Sequence, residues 1–459
     1  MSIFTALTNK YSLEEAFKAT DYTSAAMRDA IQEWFSLYYD RPATKDSDPC
    51  QRIAATVVNK ITKACFSEYT ADSKDEYAAA VLSALDDCKN TAMQIALVGG
   101  EAFLKPIPVV DRWVFNVIRR DSMLVFGRDA FGVPNDIGTI EVSTHGRFFY
   151  ALLERRYVDE AGRLTIRNRL FRSETKDVLG REVPLDTLEQ YAMLQPEYTY
   201  PEPLYSVGLV HMKVPVENTV DGSLDGVSVY AAAVGLIHNI DRNEALINGE
   251  FERGQSKVFA SADLMRRDKD GHRKFDGDLF VALDDSPDEV GVTIFSPELR
   301  VASFHERKQE YLRNVETVIG IKRGLLSEVE AVERTATEIT SSAGDYNLTI
   351  TSFQAMWTKA VLDAVKLCGY MGKVYNVTGA HDVADDAVVI DYGNGVLFDE
   401  AKAWSDYMSM VSAGLLKPEI ALGWKFNMPT ETEADLQKIR KKYMPDMEAQ
   451  QDPGAGDDE

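Results

Sequence analysis

Six histidines (His145, His211, His238, His272, His305 and His381) are the first residues to test for metal or acid–base chemistry. None stands in an HxxxH or HxH pair, the spacings that would bring two imidazoles to one face of a helix or strand, so each reads as structural or solvated. Asp268-Lys269-Asp270-Gly271 looks like the opening of a calcium loop, but its glycine comes too early and no glutamate closes it. It reads as a polar turn. Asp382, Asp385, Asp386 and Asp391 could hold two metal ions for phosphoryl chemistry, as in a metal-dependent nuclease or transferase. A solvated acidic loop ahead of a strand is the favoured reading. There is no GxxxxGK[ST] phosphate loop, GxSxG elbow, HExxH or GxGxxG. No residue is therefore assigned a catalytic role, no cofactor or metal is expected, and the chain reads as a non-enzyme. Two other groups carry potential binding chemistry. Arg266, Arg267, Lys269, Arg273 and Lys274 form a basic cluster, followed by the acidic Asp284, Asp285, Asp288 and Glu289. The basic group fits either a contact with DNA or protein or an exposed turn. Tyr346, Phe353 and Trp357 share a helical stripe, which reads as core packing rather than a base-stacking platform.

The elements that must position these groups are predicted as follows. Helices fill the first hundred residues: Met27, Ile31, Trp34 and Tyr38 make one stripe, Ile53, Val57, Ile61 and Cys65 another. Ser12 with Glu15, and Ser73 with Glu76, have capping-box spacing. From Gly99 the texture turns to strands, with Ala102–Val110 and Trp113–Arg119 flanking Asp111-Arg112, and Phe148–Val158 and Leu164–Phe171 flanking Asp159-Glu160-Ala161-Gly162. Leu164, Ile166 and Leu170 fall on one face. The proline-rich run from Asp177 to Asn218 is predicted to be irregular.

A helix follows from about Val229 to Gly254, with Ala233, Leu236, Ile237, Ile240, Ile247 and Phe251 apolar. A compact insert comes next, with strands at Lys257–Ala260, Leu279–Leu283 and Val290–Phe295. A second helix is predicted from Glu298 to about Ile319, its apolar side formed by Val301, Phe304, Tyr311, Val315 and Val318. A third carries Ile339, Ala343, Tyr346, Ile350, Phe353, Trp357, Val361, Ala364 and Cys368 at steps of three and four, with Thr335 and Glu338 as its capping box. At 1.5 Å per residue it would be roughly 50 Å long. Ala387–Asp391 and Val396–Phe398 bracket a hairpin signal, Tyr392-Gly393-Asn394-Gly395. Helices then resume: Asp399–Ala413, one opened by Pro418, and one capped by Thr430 with Glu433. The tail Glu448–Glu459 reads as disordered.

Composition bounds the function. The chain has 459 residues and a net charge of −23, which argues against gripping nucleic acid by phosphate neutralisation while leaving room for a duplex that passes without sticking. No apolar run approaches the roughly 18 residues needed to cross a bilayer. The N-terminus lacks a signal-peptide layout, so a soluble, cytosolically made protein is expected. Cys50, Cys65, Cys88 and Cys368 lie far apart and read as reduced thiols.

The order of these parts, with four local phrases, resembles the portal proteins of tailed bacteriophages, of the type found with long non-contractile tails. Ala96-Leu97-Val98-Gly99-Gly100-Glu101-Ala102-Phe103-Leu104-Lys105-Pro106 resembles the family's passage from helix into its first strands. Leu224-Asp225-Gly226-Val227-Ser228-Val229-Tyr230 resembles the lead into its first stem helix. Arg334-Thr335-Ala336-Thr337-Glu338-Ile339 resembles the start of its long helix, and Ser412-Ala413-Gly414-Leu415-Leu416-Lys417-Pro418-Glu419 the turn in its C-terminal helices.

The resemblance implies a predominantly helical α+β fold with a wing (1–228), stem helix 1 (229–254), a β-rich clip (255–297), stem helix 2 (298–323) and a tunnel loop (324–334). A long tunnel helix (335–372), wing strands (373–398), a helical crown (399–447) and the acidic tail (448–459) complete it. It further implies a homo-oligomeric ring, of twelve subunits in the family, at one vertex of the capsid in the virion. Double-stranded DNA would pass through non-specifically during packaging and ejection. The expected partners are the large terminase subunit, a head–tail connector or adaptor, and the major capsid and scaffolding proteins, with no membrane. Lys322, Arg323, Ser327, Glu328, Glu330 and Arg334 are the expected channel or tunnel-loop residues. Arg266, Arg267, Lys269, Arg273 and Lys274 are the expected partner-binding residues of the clip. The competing readings are another ring-forming connector protein and the nuclease built on the acidic group.

Overall fold

Amphipathic helices open the chain because their apolar residues recur at three and four. In the computed structural model these are α1 (Lys10–Phe17), α2 (Ala25–Tyr39) and α3 (Ile53–Cys65), then a short strand β1 (Thr70–Ser73) and α4 (Glu76–Gly99). The structure describes residues 9–39, 49–109, 112–254, 257–260, 265–267, 273–275, 292–295, 298–328, 336–393, 400–426, 428–430 and 432–444. Met27, Ile31 and Trp34, and Ile53, Val57, Ile61 and Cys65, are all buried, as their spacing predicts, whereas Tyr38 at the end of the first stripe is only partly buried. The caps differ from expectation. Ser12 lies inside α1, whose N-cap is Asn9. Asp75, not Ser73, caps α4 and accepts from the Ala78 amide at 2.8 Å, while the Ser73 hydroxyl accepts from the Asp75 amide and donates to the Ala387 carbonyl.

A sheet region follows: β2 (Glu101–Val109), β3 (Arg112–Arg119), β4 (Met123–Arg128), β5 (Pro134–His145), β6 (Phe148–Val158) and β7 (Leu164–Ser173). Next come β8 (Arg181–Val183), β9 (Glu197–Thr199) and β10 (Val210–Lys213). One sheet has the order β10-β2-β3, the other β4-β5-β6-β7-β8 with β9 also on β7. The two predicted hairpins are present in register, Ala102 opposite Arg119 and Val158 opposite Leu164. Strands β4 and β5 are additions to the expected set. The first is an apolar run without alternation, and the second starts at a proline and holds Gly138. The run predicted to be irregular contributes β8, β9 and β10, each short.

Helix α5 (Val234–Arg253) leads to the insert, where β11 (Lys257–Ala260) pairs antiparallel with β14 (Val292–Phe295), and β12 (Met265–Arg267) with β13 (Arg273–Phe275). The strand expected at Leu279–Leu283 lies outside the described residues. Helix α6 (Val301–Ile319) returns and contacts α5 along its length. Its buried positions are Leu312, Val315, Glu316 and Ile319; of the predicted stripe only Val315 is buried, Phe304 and Tyr311 are partly buried, and Val301 and Val318 are exposed, a correction to that stripe. Helix α7 (Ala336–Tyr375) is 40 residues long, about 60 Å at 1.5 Å per residue. Its stripe from Ile350 through Phe353, Trp357, Val361, Ala364 and Cys368 is buried throughout. Thr335 and the side chains of Ile339, Ala343 and Tyr346 lie outside the described residues.

The core sits where α7 meets α3, α4 and β10. There the Tyr77 hydroxyl donates to the Cys368 carbonyl at 2.7 Å and accepts from the Trp113 indole at 2.9 Å, tying α4, α7 and β3 together. β15 (Val388–Asp391) pairs with β1, so its partner is the N-terminal strand; Val396–Phe398, its expected hairpin mate, lies outside the described residues.

These parts form one unit, residues 1–392; a second unit covers 393–459. Its helices are α8 (Glu400–Ser412), α9 (Pro418–Lys425, with proline in the first turn) and α10 (Glu433–Tyr443). Thr432, not Thr430, caps α10 by accepting from the Asp435 amide. Within this unit the buried Glu419 carboxylate pairs with Arg440, and Trp424 packs on Trp404 and Tyr407. The acidic tail from Glu448 lies outside the described residues. Fold class is thus mixed helix and sheet, α+β. No described helix is long and apolar enough to cross a membrane.

Candidate functional site

The loop after α6 is built on a helix end that turns back on itself. Gly320 takes a left-handed conformation (φ 77°), closes the helix by donating to the Glu316 and Thr317 carbonyls, and lets Ile321 return to the core. Glu316 faces the same way and is fully buried. Its Oε1 accepts from the amides of Gly324 (3.1 Å), Leu326 (2.5 Å) and Ser327 (2.9 Å), and its Oε2 accepts from the Ser327 hydroxyl (2.7 Å). One step further on, the Glu328 amide donates to Gln309 Oε1 at 2.8 Å, and the Glu328 carboxylate lies 3.3 Å from His305 Nε2. The loop is therefore stitched to α6 over about three turns, from His305 to Glu316.

That geometry sorts the expected loop residues. Lys322 and Arg323 are exposed, and among the described residues neither makes an ion pair. They are cations presented from a fixed base. Ser327 is turned inward, 8% exposed and committed to Glu316, so its hydroxyl is not presented to solvent. Glu328 is exposed; Glu330 and Arg334 lie outside the described residues. In the insert, the β12–β13 register sets Arg266 opposite Lys274 and Arg267 opposite Arg273. Like charges at directly opposed positions disfavour a hairpin unless something anionic meets them. Lys269 lies outside the described residues.

Polar contacts bridge α5 and the α6 region beside the buried Ile237, Ile240, Leu312 and Val315. Asn243 donates to the Phe304 carbonyl at 3.0 Å, Lys308 bridges Glu244 (3.1 Å) and Gln51 (2.7 Å), and Arg300 grips Glu250 with two bonds at 3.0 and 2.9 Å.

Two stretches more than a hundred residues apart, around Gly100 and around Gly226, meet at the end of α4. A methyl group on Gly100 (φ 77°) would come within 2.3 Å of the Gly226 backbone, so glycine is required there both by conformation and by space. Val229 and Ser228 both donate to the Leu97 carbonyl. Around this crossing lies a buried ionic knot: Arg128 grips Glu101 at 3.1 and 3.0 Å and also Asp225, while Arg120 reaches Glu101 at 3.4 Å and Asp225 at 3.3 Å. Burial alone would raise the Glu101 pKa, but Arg128, His211 and Arg120 outweigh it and hold the carboxyl well below the usual range. Sequence reading misses this knot. Its four charged residues look like ordinary surface charges until the fold brings two strands of different sheets, the turn at Arg120 and the loop at Asp225 together.

The acidic group near Asp385 shows no metal cage. Asp382 pairs with Lys373 at 2.7 Å and Asp385 with Lys366 at 2.9 Å, and among the described residues no histidine, cysteine, aspartate and glutamate cluster has metal-holding geometry. A cleft of about 310 Å³ between β10 and α7 is lined by His211, Lys359, Asp363 and Lys366. Burial raises the Asp363 pKa there, against the pull of Lys359 and Lys366. His211 already faces Glu101 at 3.3 Å.

No protein-family model matches the chain, and no curated protein does. Among solved structures, a chain described as the neck of a native GTA particle computed with C12 symmetry is similar at 14% identity. The match covers 88% of this chain and 94% of that chain, with a TM-score of 0.47. A chain from the neck of an empty GTA particle computed with C6 symmetry gives the same figures. At that TM-score the likeness carries no functional weight.

Proposed function

We propose that this chain is the subunit of a portal-type ring through which double-stranded DNA moves into and out of a phage-like particle. The observation that carries this reading is the succession of α5, a strand-built insert, α6 and a tightly held loop presenting two exposed cations, followed by a 40-residue helix. A chain at −23 arranged around a bore repels phosphate and lets a duplex slide, and isolated cations at the loop supply weak, exchangeable contacts. In this reading residues 229–254 and 298–323 are the stem, 255–297 the clip, 324–334 the tunnel loop and 399–447 the crown. The basic hairpin Arg266, Arg267, Arg273 and Lys274 meets an acidic face of the packaging motor or of the head–tail connector. Ring closure follows from helices whose apolar positions are incompletely covered within one copy, since heterologous contacts between identical chains close on themselves.

Negative-stain images of the purified full-length chain test this. Rings with a central hole wide enough for a duplex are expected; particles that stay single protomers at every concentration overturn it. A ring that forms and binds neither motor nor connector after neutralising the four basic hairpin residues agrees with the clip assignment. Unchanged partner binding removes it.

A further inference from the structure

The proposed function needs the loop cations to sit in a defined place, and one side chain accounts for that. Glu316 occupies a position on α6 whose neighbours Leu312, Val315 and Ile319 are buried and apolar. A carboxylate there is costly unless fully hydrogen-bonded, and an apolar residue would fill the site without that demand. Among the described residues no cation lies within ion-pair distance of Glu316; its charge is met by three backbone amides and one hydroxyl, all from residues 324–327. Such charge-assisted bonds are roughly twice as strong as neutral ones. They close a circuit of eight to eleven residues back onto the helix that bears the carboxylate. Gly320 and Gly324, both left-handed at φ 77° and 89°, allow the chain to fold back that sharply. Lys322 and Arg323 lie inside the closed circuit, at its exposed crest.

We propose that Glu316 is the positioning residue of the loop: it holds Lys322 and Arg323 at a fixed place so that their phosphate contacts are made from a rigid base. The DNA half of this inference rests on the portal reading; the latch half does not. Its test uses the full-length protein with Glu316→Gln, the double variant Lys322→Gln/Arg323→Gln, and the triple combination. Two quantities are read: amide hydrogen exchange without DNA, and the salt dependence of binding to a random-sequence DNA duplex.

Glu316→Gln should speed exchange at Gly324, Leu326 and Ser327 by roughly tenfold, with α6 amides before Leu312 unchanged. The double variant should lower the salt slope by about one for each phosphate that is no longer neutralised. Glu316→Gln should lower it in the same direction, and the triple variant should fall no further than the double. Unchanged exchange at the three amides overturns the latch. A triple variant that loses binding additively overturns the link from Glu316 to the two cations, because a merely structural effect would add. If the double variant leaves the salt slope untouched, the portal reading of this loop fails while the exchange result still judges the latch. Should Glu316→Gln not fold, Ser327→Ala removes one donor from the loop side. A smaller rise in exchange at Leu326 and Ser327 is then expected, and no rise overturns the proposal.

Discussion

Two helical regions of this chain carry similar apolar stripes and treat them in opposite ways. Along α7, Ile350, Phe353, Trp357, Val361, Ala364 and Cys368 are all 0–1% exposed, covered by α3, α4 and β10. Along the α5–α6 pair, Ile237, Ile240, Leu312 and Val315 are covered, but Leu246, Phe251, Val301 and Val318 are 37–49% exposed. The first region closes its core within one chain. The second is held by side-chain bridges such as Arg300–Glu250 and Lys308–Glu244, and leaves apolar surface over. A stripe read from sequence therefore states that a helix wants a neighbour, not where the neighbour comes from.

The sharpest way to break this contrast is at Trp357. It is fully buried, with Phe66 edge-on at 5.5 Å and Tyr69 at 6.4 Å. Trp357→Ala should destabilise by about 3–5 kcal/mol, the usual range for deleting a buried aromatic. Chemical denaturation measures it. A loss below about 1 kcal/mol would mean that α7 is not the central support of the first unit.

A second difference is electrostatic. In the sheet region the buried Glu154 sits between Arg156 at 2.7 Å and Lys105 at 2.7 Å. Burial would raise its pKa, yet Arg156 and Lys105 bring it down to about 2 from the ordinary 4.5. A carboxylate depressed on folding contributes stability above its unfolded pKa and loses it as pH falls through the folded one. The wild-type protein should therefore lose stability progressively between about pH 4.5 and 2, by up to about 3 kcal/mol from this group. Glu154→Gln should flatten the pH profile across that window. An identical acid profile in the variant would remove Glu154 from the set of groups that govern acid unfolding.

The same contrast explains what could be read from the sequence. The α7 stripe is legible because burial on one side of a helix imposes period 3.6 on the residue types. The hairpins β2–β3 and β6–β7 are legible from turn residues between apolar runs. Capping is not, because Ser73 and Asp75, or Thr430 and Thr432, stand two residues apart. Spacing does not say which of the two has the extended backbone that a cap needs. Val318 misleads for a related reason: three and four residues beyond Val315 are Val318 and Ile319, both apolar, and only the packing of the α6 end selects Ile319. Lys322 and Arg323 stand out as exposed cations, whereas Ser327 reads as a channel-facing residue and turns out to point inward. Glu316, whose carboxylate turns it inward, gives no signal, since one glutamate on a helix looks like any other until the loop folds back.

The smallest expected effect on the protomer is also the one that decides the meaning of the half-exposed stripe. Leu246 and Val318 are each 49% exposed, so Leu246→Ser and Val318→Ser remove little buried area within one chain. Their effect on protomer stability should stay within about 0.5 kcal/mol, as for ordinary surface positions. If these residues meet identical neighbours in a ring, the same substitutions place hydroxyls in an apolar contact and should lower the fraction of assembled rings at a given concentration. Sedimentation velocity and thermal unfolding, run on the same samples, separate the two quantities. Loss of assembly with unchanged unfolding means that copies of this chain complete what α5 and α6 leave uncovered. Full assembly with Leu246→Ser and Val318→Ser combined means that this face of α5 and α6 meets water rather than a second copy, and that any contacts between copies lie elsewhere on the chain.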